Sequence, residues 1–266
     1  MSYKLTLLGT GSSGGVPRVG NHWGACDPAN PRNRRRRCAA LIERISGRGR
    51  TVALIDTPPD IRDQLLDARI GAVDGVVYTH DHADHTHGID DLRMLAFNMK
   101  RRVDVYFDSA TRASLMQRFG YCFKMPDGSN YPAILNAHDI APPAPVVING
   151  AGGPIALTPV PQEHGDIASL GFRFGSVAYS PDVSGLSAQS ADMLRGLDLW
   201  IVDALRYIPH PAHFSVKQAL AWIEDLQPRR AILTHLHIDL DYAKLAAELP
   251  NHVTPAHDGL EVNFDA

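Results

Sequence analysis

The sequence predicts an α/β protein with a four-layer αββα sandwich, formed by a single domain that spans residues 1–266. Short apolar runs alternate with helical segments along the whole chain, and this pattern is typical of sheets covered by helices. The Pro-rich stretch at residues 141–145 divides the elements into two halves. We interpret it as a connection within one domain, and a linker between independent domains is the alternative. Two halves of strands and helices predict two packed sheets with helices outside.

The first half begins with a predicted strand at residues 3–8, followed by a glycine-rich loop at residues 9–15. Asp60 is in a position to cap a helix that continues to residue 68, and a second helix is predicted at residues 110–119. Apolar and β-branched runs predict the other strands of this half, at residues 51–55, 75–78 and 103–107.

The second half repeats this alternation after the Pro-rich stretch. Apolar runs bounded by Gly, Pro and Asp predict strands at residues 155–160, 171–174, 176–179, 199–202, 231–233 and 260–263. Apolar residues at helical spacing predict helices at residues 188–197, 215–226 and 242–249. Each half therefore has enough strands for a sheet and enough helices to cover one face of it.

The composition is that of a soluble globular protein, with 44% hydrophobic and 21% charged residues. No apolar run is long enough to cross a membrane, and the first residues lack the pattern of an export signal. Three cysteines are too few for a disulfide framework and suit a reducing compartment. The net charge of −3 argues against binding of long nucleic acid. We therefore expect a cytoplasmic protein that acts on a small molecule.

Positive charge is nevertheless concentrated in one segment, where five arginines occur within six residues, at positions 32 and 34–37. Such a cluster can neutralise a short anionic substrate. A solvated surface segment is an equally good interpretation of the same pattern.

Potential metal ligands follow four of the predicted strands directly. The densest group is His80-Asp81-His82-Ala83-Asp84-His85, which comes after the strand at residues 75–78. His164, Asp182 and His235 each follow another strand. Loops at strand ends are where rigid scaffolds place reactive groups, so a common sheet edge would bring these side chains together. The alternative for the dense group is a charged surface loop at the start of a helix.

Imidazole and carboxylate ligands suit zinc, manganese or iron, and this set is large enough for two ions. We expect His80 and His82 to share one ion with His164. Asp84 and His85 would share the other ion with His235. Asp182 has two carboxylate oxygens and could bridge both. The expected cofactors are two divalent cations, Zn²⁺ or Mn²⁺.

These residues also resemble a known family. Residues 80–85 resemble the metal-binding signature of the metallo-β-lactamase superfamily, and Asp56, His164, Asp182 and His235 match its other motifs in order. The resemblance implies the αββα fold of that superfamily, with a dinuclear site at one edge of the sandwich. It also implies that Asp56 supports the site without binding metal.

The start of the chain resembles one branch of that superfamily. Residues 7–17, Leu-Leu-Gly-Thr-Gly-Ser-Ser-Gly-Gly-Val-Pro, and residues 33–38, Asn-Arg-Arg-Arg-Arg-Cys, are similar to the phosphoribosyl cyclic phosphodiesterases, the PhnP-like branch. A more distant likeness is to the tRNA 3′-end endonucleases. Members of the PhnP-like branch carry a cysteine-rich segment that holds a structural zinc. Here Cys26 is the single cysteine of residues 20–26, so we expect no third ion.

The resemblance also assigns roles near the metals. It implies that His213 lies beside the ions and protonates the leaving group, with His210 as the rival candidate. The glycines of the opening loop let backbone amides approach an anion, and we expect Ser12, Ser13 and His257 to contact substrate. His237 is interpreted as a supporting residue. A homodimer is expected from the resemblance alone.

Together these features predict a metal-dependent phosphodiesterase that hydrolyses small cyclic or nucleotide-type phosphodiesters. Two ions would hold a bridging hydroxide, Asp84 would orient it, and His213 would protonate the departing oxygen. The main alternative is a thioester or lactone hydrolase on the same fold, which would not need His213. Less favoured alternatives are a tRNA 3′-end endonuclease, which would require a long basic arm, and a non-catalytic binding subunit.

Overall fold

The computed structural model of the chain describes residues 2–264 and contains two seven-stranded sheets. The first half of the chain forms β1 (Ser2–Gly9), β2 (Ala39–Ser46), β3 (Gly49–Ile55), β4 (Gly75–Val77), β5 (Val103–Phe107) and β6 (Leu135–Asp139). The second half forms β7 (Val146–Ile148), β8 (Ile155–His164), β9 (Ile167–Phe174), β10 (Val177–Ser180), β11 (Leu199–Asp203), β12 (Arg230–Thr234), β13 (Val253–Pro255) and β14 (Leu260–Phe264).

The strand order places the two halves of the chain in separate sheets, with one exception. The first sheet has the order β14-β1-β2-β3-β4-β5-β6, and the second has the order β13-β12-β11-β10-β9-β8-β7. The exception is β14, which returns to the first sheet and pairs antiparallel with β1. The last strand of the chain therefore ties the second half to the first.

The helices cover the outer faces of the two sheets. They are α1 (Ile61–Asp67), α2 (Ala83–Thr86), α3 (Leu92–Met99), α4 (Ser109–Phe123), α5 (Ala188–Met193), α6 (Val216–Leu226) and α7 (Tyr242–Glu248). Local sequence explains their starts: Asp108 accepts a hydrogen bond from the backbone of Thr111 at the start of α4. Ser215 and Gln218 form a capping box at the start of α6.

Along each strand, successive side chains point alternately toward the outer helices and toward the other sheet. In β3, Leu54 packs toward the helices of the first sheet, whereas Ala53 and Ile55 belong to the core between the sheets. In β11, Ile201 lies in that same central core, and Trp200 faces the helices of the second sheet. Two helical layers enclose two sheets, and the predicted αββα sandwich is confirmed.

Strand direction determines where polar side chains collect. β3, β4 and β5 run parallel, and so do β10, β11 and β12. β8 is antiparallel to β9, which is antiparallel to β10, so β8 points in the same direction as β10. The carboxyl ends of these strands lie at one edge of each sheet.

Several elements were not predicted from the sequence. β2 contains Glu43 and Arg44 and follows the arginine-rich segment, so it lacks the apolar pattern of the other strands. Glu43 is nevertheless buried, because Lys4 and Arg50 both form ion pairs with it. The short strands β6, β7 and β13 were also missed, as were α2 and α3. The predicted helix at residues 188–197 ends earlier, at Met193. No helix within residues 2–264 has both the length and the apolar character that a membrane crossing requires.

Candidate metal centre

The dense histidine motif occupies the turn between β4 and α2. His80 follows the end of β4, His82 lies at the cap of α2, and His85 lies within that helix. His164 is the last residue of β8 in the second sheet. Asp182 and His235 lie just beyond β10 and β12 of the same sheet. The two sheets therefore contribute different ligands to one edge of the sandwich.

Among the described residues, five overlapping groups of three potential ligand atoms form at this edge, and two of them match the predicted ion sites. One set comprises atoms of His80, His82 and His164 that all lie within 4.8 Å of one another. His82 Nδ1 and His164 Nε2 are 3.1 Å apart. A second set, on the same 4.8 Å criterion, comprises atoms of Asp84, His85 and His235. Each set has the number of protein ligands that catalytic zinc sites commonly use.

Asp182 lies between the two sets. Its Oδ1 atom is 2.9 Å from His85 Nε2, and its Oδ2 atom is 3.4 Å from His235 Nε2. The same Oδ2 atom is 3.7 Å from His164 Nε2, which belongs to the other set. The side chain is 2% exposed. A buried carboxylate in this position can contact cations on both sides.

The donor atoms of this centre fit divalent cations. His80 Nε2, His85 Nε2, His235 Nε2 and Asp182 Oδ1 are buried and make no hydrogen bond of acceptable geometry among residues 2–264, although His85 Nε2 and Asp182 Oδ1 lie 2.9 Å apart. Buried polar atoms are rarely left without a partner, and each such atom costs about 1–3 kcal/mol. Nitrogen and carboxylate donors that converge without protein partners are the arrangement that Zn²⁺ or Mn²⁺ would satisfy.

Supporting hydrogen bonds orient the histidine rings. His85 Nδ1 lies 2.8 Å from Asp56 Oδ2, and Asp56 also accepts hydrogen bonds from the backbone and hydroxyl of Thr79. His164 Nδ1 lies 2.6 Å from the carbonyl oxygen of Ala212 and donates to it. Donation from Nδ1 leaves Nε2 unprotonated and available to a cation. Asp56 is fully buried and outside both ligand sets, which is the supporting position expected for it.

Burial and charge shift the pKa values of these groups in different directions. Burial alone would lower the pKa of His85, but the carboxylates of Asp182, Asp84 and Asp56 raise it well above its usual value, so a cation bound there would displace a proton. Burial lowers the pKa of His80 well below its usual value and lowers that of His164 to about 4. Burial alone would raise the pKa of Asp84, but His85 and His235 hold it below its usual range. Neutral imidazoles and ionised carboxylates are the protonation states that bind metal.

Backbone conformation is unusual at two of these positions. Asp56 and His235 have φ values of 65° and 58°, in the left-handed region that favours glycine. Such conformations cost about 1–3 kcal/mol each and persist where the surrounding structure enforces them. At both positions the turn follows the end of a strand directly, so the strain aims the side chain at the centre.

His213 lies against the metal ligands and is held by a buried carboxylate. Its ring stacks on His235 with centroids 4.6 Å apart, and its Nδ1 lies 2.7 Å from Asp203 Oδ2. Asp203 ends β11 and is fully buried. With Nδ1 donating to Asp203, the Nε2 atom of His213 remains for exchange of a proton with a substrate. His210 has no such carboxylate; its Nδ1 accepts from the backbone of Ala212.

A cavity of about 180 Å³ opens beside the centre, and we call it the histidine–arginine cavity. Ser12 and Ser13, proposed from the sequence as substrate contacts, line it. The structure does not bring His257 to it: that ring lies by Tyr242, with Nδ1 3.1 Å from the carbonyl of Asp258. The lining residues within the described part of the chain are Ser12, Ser13, Arg18, Leu205, Arg206, His210, His213, His235 and His237.

The arginine-rich segment does not line this cavity. Arg36 pairs with Asp67 and Asp258, and Arg37 pairs with Asp60. Arg35 is 1% exposed and donates to backbone carbonyls. The structure therefore does not bring these three arginines to the cavity, and each of them makes contacts within the fold.

Three cavity or supporting residues were not identified from the sequence: Asp203, Arg18 and Arg206. Asp203 follows an apolar strand in the same way as the metal ligands, so that signal was present for it. Arg18 and Arg206 lie in irregular segments, and only the packing of the loops brings them together.

Comparisons with known proteins agree with this fold. A family model described as a beta-lactamase superfamily domain matches residues 51–236. The chain is similar to a structure titled as a new diphosphatase from the PhnP family, with 36% identity and a TM-score of 0.88 over 99% of this chain and 98% of the other. The structure of Zn²⁺-bound PqqB from Methylobacterium extorquens shares the fold, with 18% identity and a TM-score of 0.71 over 97% of this chain and 99% of that one.

One curated relative carries a different name. A Porphyromonas gingivalis (strain ATCC BAA-308 / W83) protein named octanoyltransferase is 32% identical over 267 residues. The alignment covers 98% of this chain and 52% of that protein. The chain therefore spans about half the length of the curated relative that it matches.

Proposed function

The chain belongs to the β-lactamase superfamily and is a hydrolase of the metallo-β-lactamase fold that resembles the PhnP family, and from this premise we propose a phosphodiesterase. Its substrates are small phosphodiesters, cyclic or nucleotide-type, rather than long nucleic acid or membranes. The net charge of −3 and the small cavity beside the centre support a small substrate.

The observation that carries this proposal is the His213–Asp203 pair beside the two ligand sets. A phosphodiester with an alkoxide leaving group needs a proton at the departing oxygen, and a positioned histidine supplies it. Burial lowers the pKa of His213, so its protonated form is a stronger acid than a free imidazolium. Asp203 fixes the ring so that Nε2 carries out the transfer. A thiolate leaving group would not need this residue.

The two ligand sets suggest a role for each side chain of the centre. His80, His82 and His164 would hold one cation, and Asp84, His85 and His235 would hold the other. Zn²⁺ or Mn²⁺ bound there would lower the pKa of a water and neutralise charge on the phosphate oxygens. Asp84 Oδ2 lies 3.6 Å and 3.7 Å from the Nε2 atoms of His85 and His235, and the side chain is 14% exposed. Its position allows it to accept a hydrogen bond from the attacking water.

The first test varies the leaving group. We expect His213→Ala to reduce kcat on 2′,3′-cyclic AMP by about 100- to 10,000-fold, the range typical of general acid catalysis. The loss on bis-p-nitrophenyl phosphate should be much smaller, because p-nitrophenolate departs without a proton. Equal losses on both substrates would contradict the proton-donor role of His213.

The second test removes the carboxylate that faces the water. Asp84→Asn should reduce turnover of both phosphodiesters by orders of magnitude while metal analysis still finds two ions per chain. The matched control is Asp90→Asn, a change at a half-exposed aspartate in the turn before α3, which should leave turnover unchanged. Near-normal turnover in Asp84→Asn would overturn this role.

The name of the curated relative favours one competing function, a hydrolase or transferase of acyl thioesters. An octanoyl thioester is therefore the discriminating substrate, assayed beside 2′,3′-cyclic AMP with the same metal-loaded protein. We expect hydrolysis of the phosphodiester and little of the thioester. The reverse result, with activity retained in His213→Ala, would replace the phosphodiesterase proposal.

A further inference from the structure

His82 differs from His80 and His164, the other members of what we call the first ligand set, in how its ring is held. His80 Nδ1 lies 2.9 Å from the hydroxyl oxygen of Thr79, and His164 Nδ1 donates to the carbonyl of Ala212. Within residues 2–264, the ring of His82 has only His164, itself a proposed ligand, as a hydrogen-bond partner. His82 is also exposed. The backbone that carries it must therefore set the direction of this ring.

Arg118 holds that backbone from a different element of the fold. It lies in α4, and its Nη2 atom donates to the carbonyl oxygen of Asp81 at 2.8 Å and to Oδ2 of the same residue at 2.7 Å. The carbonyl of Asp81 belongs to the planar peptide group that joins Asp81 to His82. A hydrogen bond to this oxygen restrains rotation of the peptide group, and with it the direction in which His82 leaves the turn.

We propose that Arg118 and Asp81 position His82 and so determine how tightly the first ligand set binds a divalent cation. Arg118 hydrogen-bonds to none of the proposed ligands within the described chain, so its effect on them passes through Asp81. The inference deepens the proposed function, because it rests on the metal centre of that proposal. It does not depend on which ester is hydrolysed.

Two hydroxyl groups complete the restraint on Asp81. Ser114, one turn before Arg118 in α4, donates to Asp81 Oδ2 and accepts from Arg118 Nη2. Thr86 in α2 donates to the carbonyls of Asp81 and His82, at 3.3 Å and 2.8 Å. The turn is therefore held from α2 on one side and from α4 on the other. The contact with α4 includes a guanidinium–carboxylate pair, which is stronger than a neutral hydrogen bond.

Other contacts hold the guanidinium of Arg118 beside the turn. Its Nη1 atom lies 3.3 Å from His87 Nε2. Helix α4 departs from helical conformation at Phe119, the next residue, and the Phe119 ring packs edge-on against His87 with centroids 5.5 Å apart. An arginine that is already held in this way loses less conformational entropy when it orders the turn.

The second ligand set has a different support. His85 Nδ1 bonds to the fully buried Asp56, and the backbone N–H of Thr57 donates to the carbonyl of His85. Gly88 packs so closely against this segment that a Cβ would lie 2.1 Å from one of its carbonyl oxygens. None of these contacts involves α4. Loss of Arg118 should therefore affect the first set and spare the second.

The test measures metal affinity rather than turnover. The full chain is freed of metal with a chelator and titrated with Zn²⁺ in competition with a fluorescent zinc indicator, which resolves two dissociation constants. Arg118→Met keeps the aliphatic stem and removes the donors. We expect it to raise one Kd by about 10- to 100-fold, the range typical of losing a group that orients a ligand. The other Kd should stay unchanged.

A second substitution identifies the affected ion. His82→Ala breaks the first set directly. Adding Arg118→Met to His82→Ala should leave the Kd of the remaining ion unchanged, because the side chain that Arg118 positions is already gone. A further loss of affinity in the double variant would overturn the proposal.

Two variants separate positioning from a general loss of structure. Arg112→Met is the matched control, because Arg112 lies in the same helix and pairs with Asp139 at 2.6 Å, away from the turn. Its side chain is 39% exposed, against 33% for Arg118. It should leave both Zn²⁺ constants unchanged, and the chelated forms of the two variants should unfold at the same urea concentration. Arg118→Lys keeps a charge opposite Asp81 and should recover part of the lost affinity.

The outcomes are distinct. Loss of affinity for one ion, absent in the His82→Ala background, supports the proposal. Unchanged constants in Arg118→Met would overturn it, while two ions bound to the original protein would still support the metal centre. Equal weakening of both ions, or unfolding at a lower urea concentration than Arg112→Met, would show that Arg118 acts on the whole fold and would also overturn it. Failure of the phosphodiesterase proposal would appear separately, in the ester assays.

Discussion

Asp203 connects two residues of the centre through a single buried carboxylate. Its Oδ2 atom faces His213 Nδ1 at 2.7 Å and accepts from the backbone of Val183 at 3.1 Å, while Oδ1 lies 3.8 Å from His235 Nδ1. Burial raises the pKa of Asp203 well above its usual value, with His235 acting in the opposite direction. The side chain touches no reacting atom, so its effect on catalysis is through the position of His213.

We predict that Asp203→Asn weakens the proton donor selectively. The amide keeps the shape of the side chain but offers a single acceptor oxygen in place of a carboxyl group, so His213 Nδ1 is held less firmly, an effect of about 1–3 kcal/mol. The kcat on 2′,3′-cyclic AMP should fall by about 10- to 100-fold, with a smaller fall on bis-p-nitrophenyl phosphate. A pH–rate profile should show the alkaline limb, on which His213 loses its proton, displaced to lower pH. Uniform loss on both esters, with altered metal content, would point to a role in metal binding instead.

Asp258, which is not one of the metal-centre residues, is expected to make the stability of the fold depend on pH. It accepts hydrogen bonds from Thr10 and from the backbone of Arg36, yet burial raises its pKa from 3.8 to about 6. The folded protein therefore holds the proton more tightly than the unfolded chain does. The resulting stabilisation is complete below about pH 4 and is lost as the pH rises through about 6.

Comparison with Asp258→Asn isolates this effect, because other titrating groups cancel in the difference. The free energy of unfolding of the original protein, minus that of the variant, should fall by about 2 kcal/mol from about pH 4 to about pH 7. Urea titrations in the presence of a chelator would measure it. A difference that stays constant with pH would show that Asp258 is ionised throughout.

At the scale of elements, Arg35 joins two loops that frame the centre. It donates through Nη2 to the carbonyl of Leu240 at 2.8 Å and through Nη1 to that of His237 at 3.3 Å. Cys26 lies in the same cluster, with its thiol donating to the carbonyls of Ile238 and Leu240. The buried guanidinium of Arg35 therefore links the arginine-rich segment to the segment after β12.

We predict that Arg35→Met destabilises the protein by about 2 to 4 kcal/mol, because buried carbonyls lose their donors. Urea unfolding of the metal-loaded protein would measure the change. The neighbouring Arg34→Met is the control, since Arg34 is exposed and lies over the Trp23 ring at 5.5 Å. Equal stability of the two variants would mean that the loops are held together by other contacts.

The elements also show what the sequence could and could not predict. Strands such as β11 and β12 were predictable because they are buried on both faces and read as continuous apolar runs. β2 was not, because its buried Glu43 is neutralised by Lys4 and Arg50 from neighbouring strands. A charge that is compensated only by tertiary contacts cannot be distinguished in the sequence from one in a solvated loop.

At the scale of the whole molecule, the meeting of the proposed ligands was predictable because strand ends share an edge. Four of the ligands, His80, His164, Asp182 and His235, lie at or just beyond the carboxyl ends of β4, β8, β10 and β12, and the other three lie at the start of α2. The position of His257 and the hydrogen bonds that Arg35 donates to backbone carbonyls were not predictable in this way. They depend on how irregular loops pack, and loops carry no periodic signal.

The division of ligands between the sheets leads to a prediction about the stability of the whole molecule. His80, His82, Asp84 and His85 belong to the first sheet, whereas the ligands after β8, β10 and β12 belong to the second. A cation held by both sheets binds the folded state far better than the unfolded chain. With free Zn²⁺ about a thousandfold above its Kd, the stabilisation is about 4 kcal/mol. Chelation should therefore lower the thermal midpoint of unfolding by several degrees.

Asp182→Asn tests whether this stabilisation comes from the bridge between the sets. The variant should show a much smaller difference between its metal-loaded and chelated midpoints, because Asp182 contributes to both sets. Asp192→Asn, at an exposed position in α5, should respond to chelation as the original protein does. Differential scanning calorimetry measures all three proteins, and metal analysis gives the ions per chain. If chelation removed two ions and left the midpoint unchanged, the cations could not be links between the sheets, and the αββα core would be sufficient to hold the catalytic edge in place.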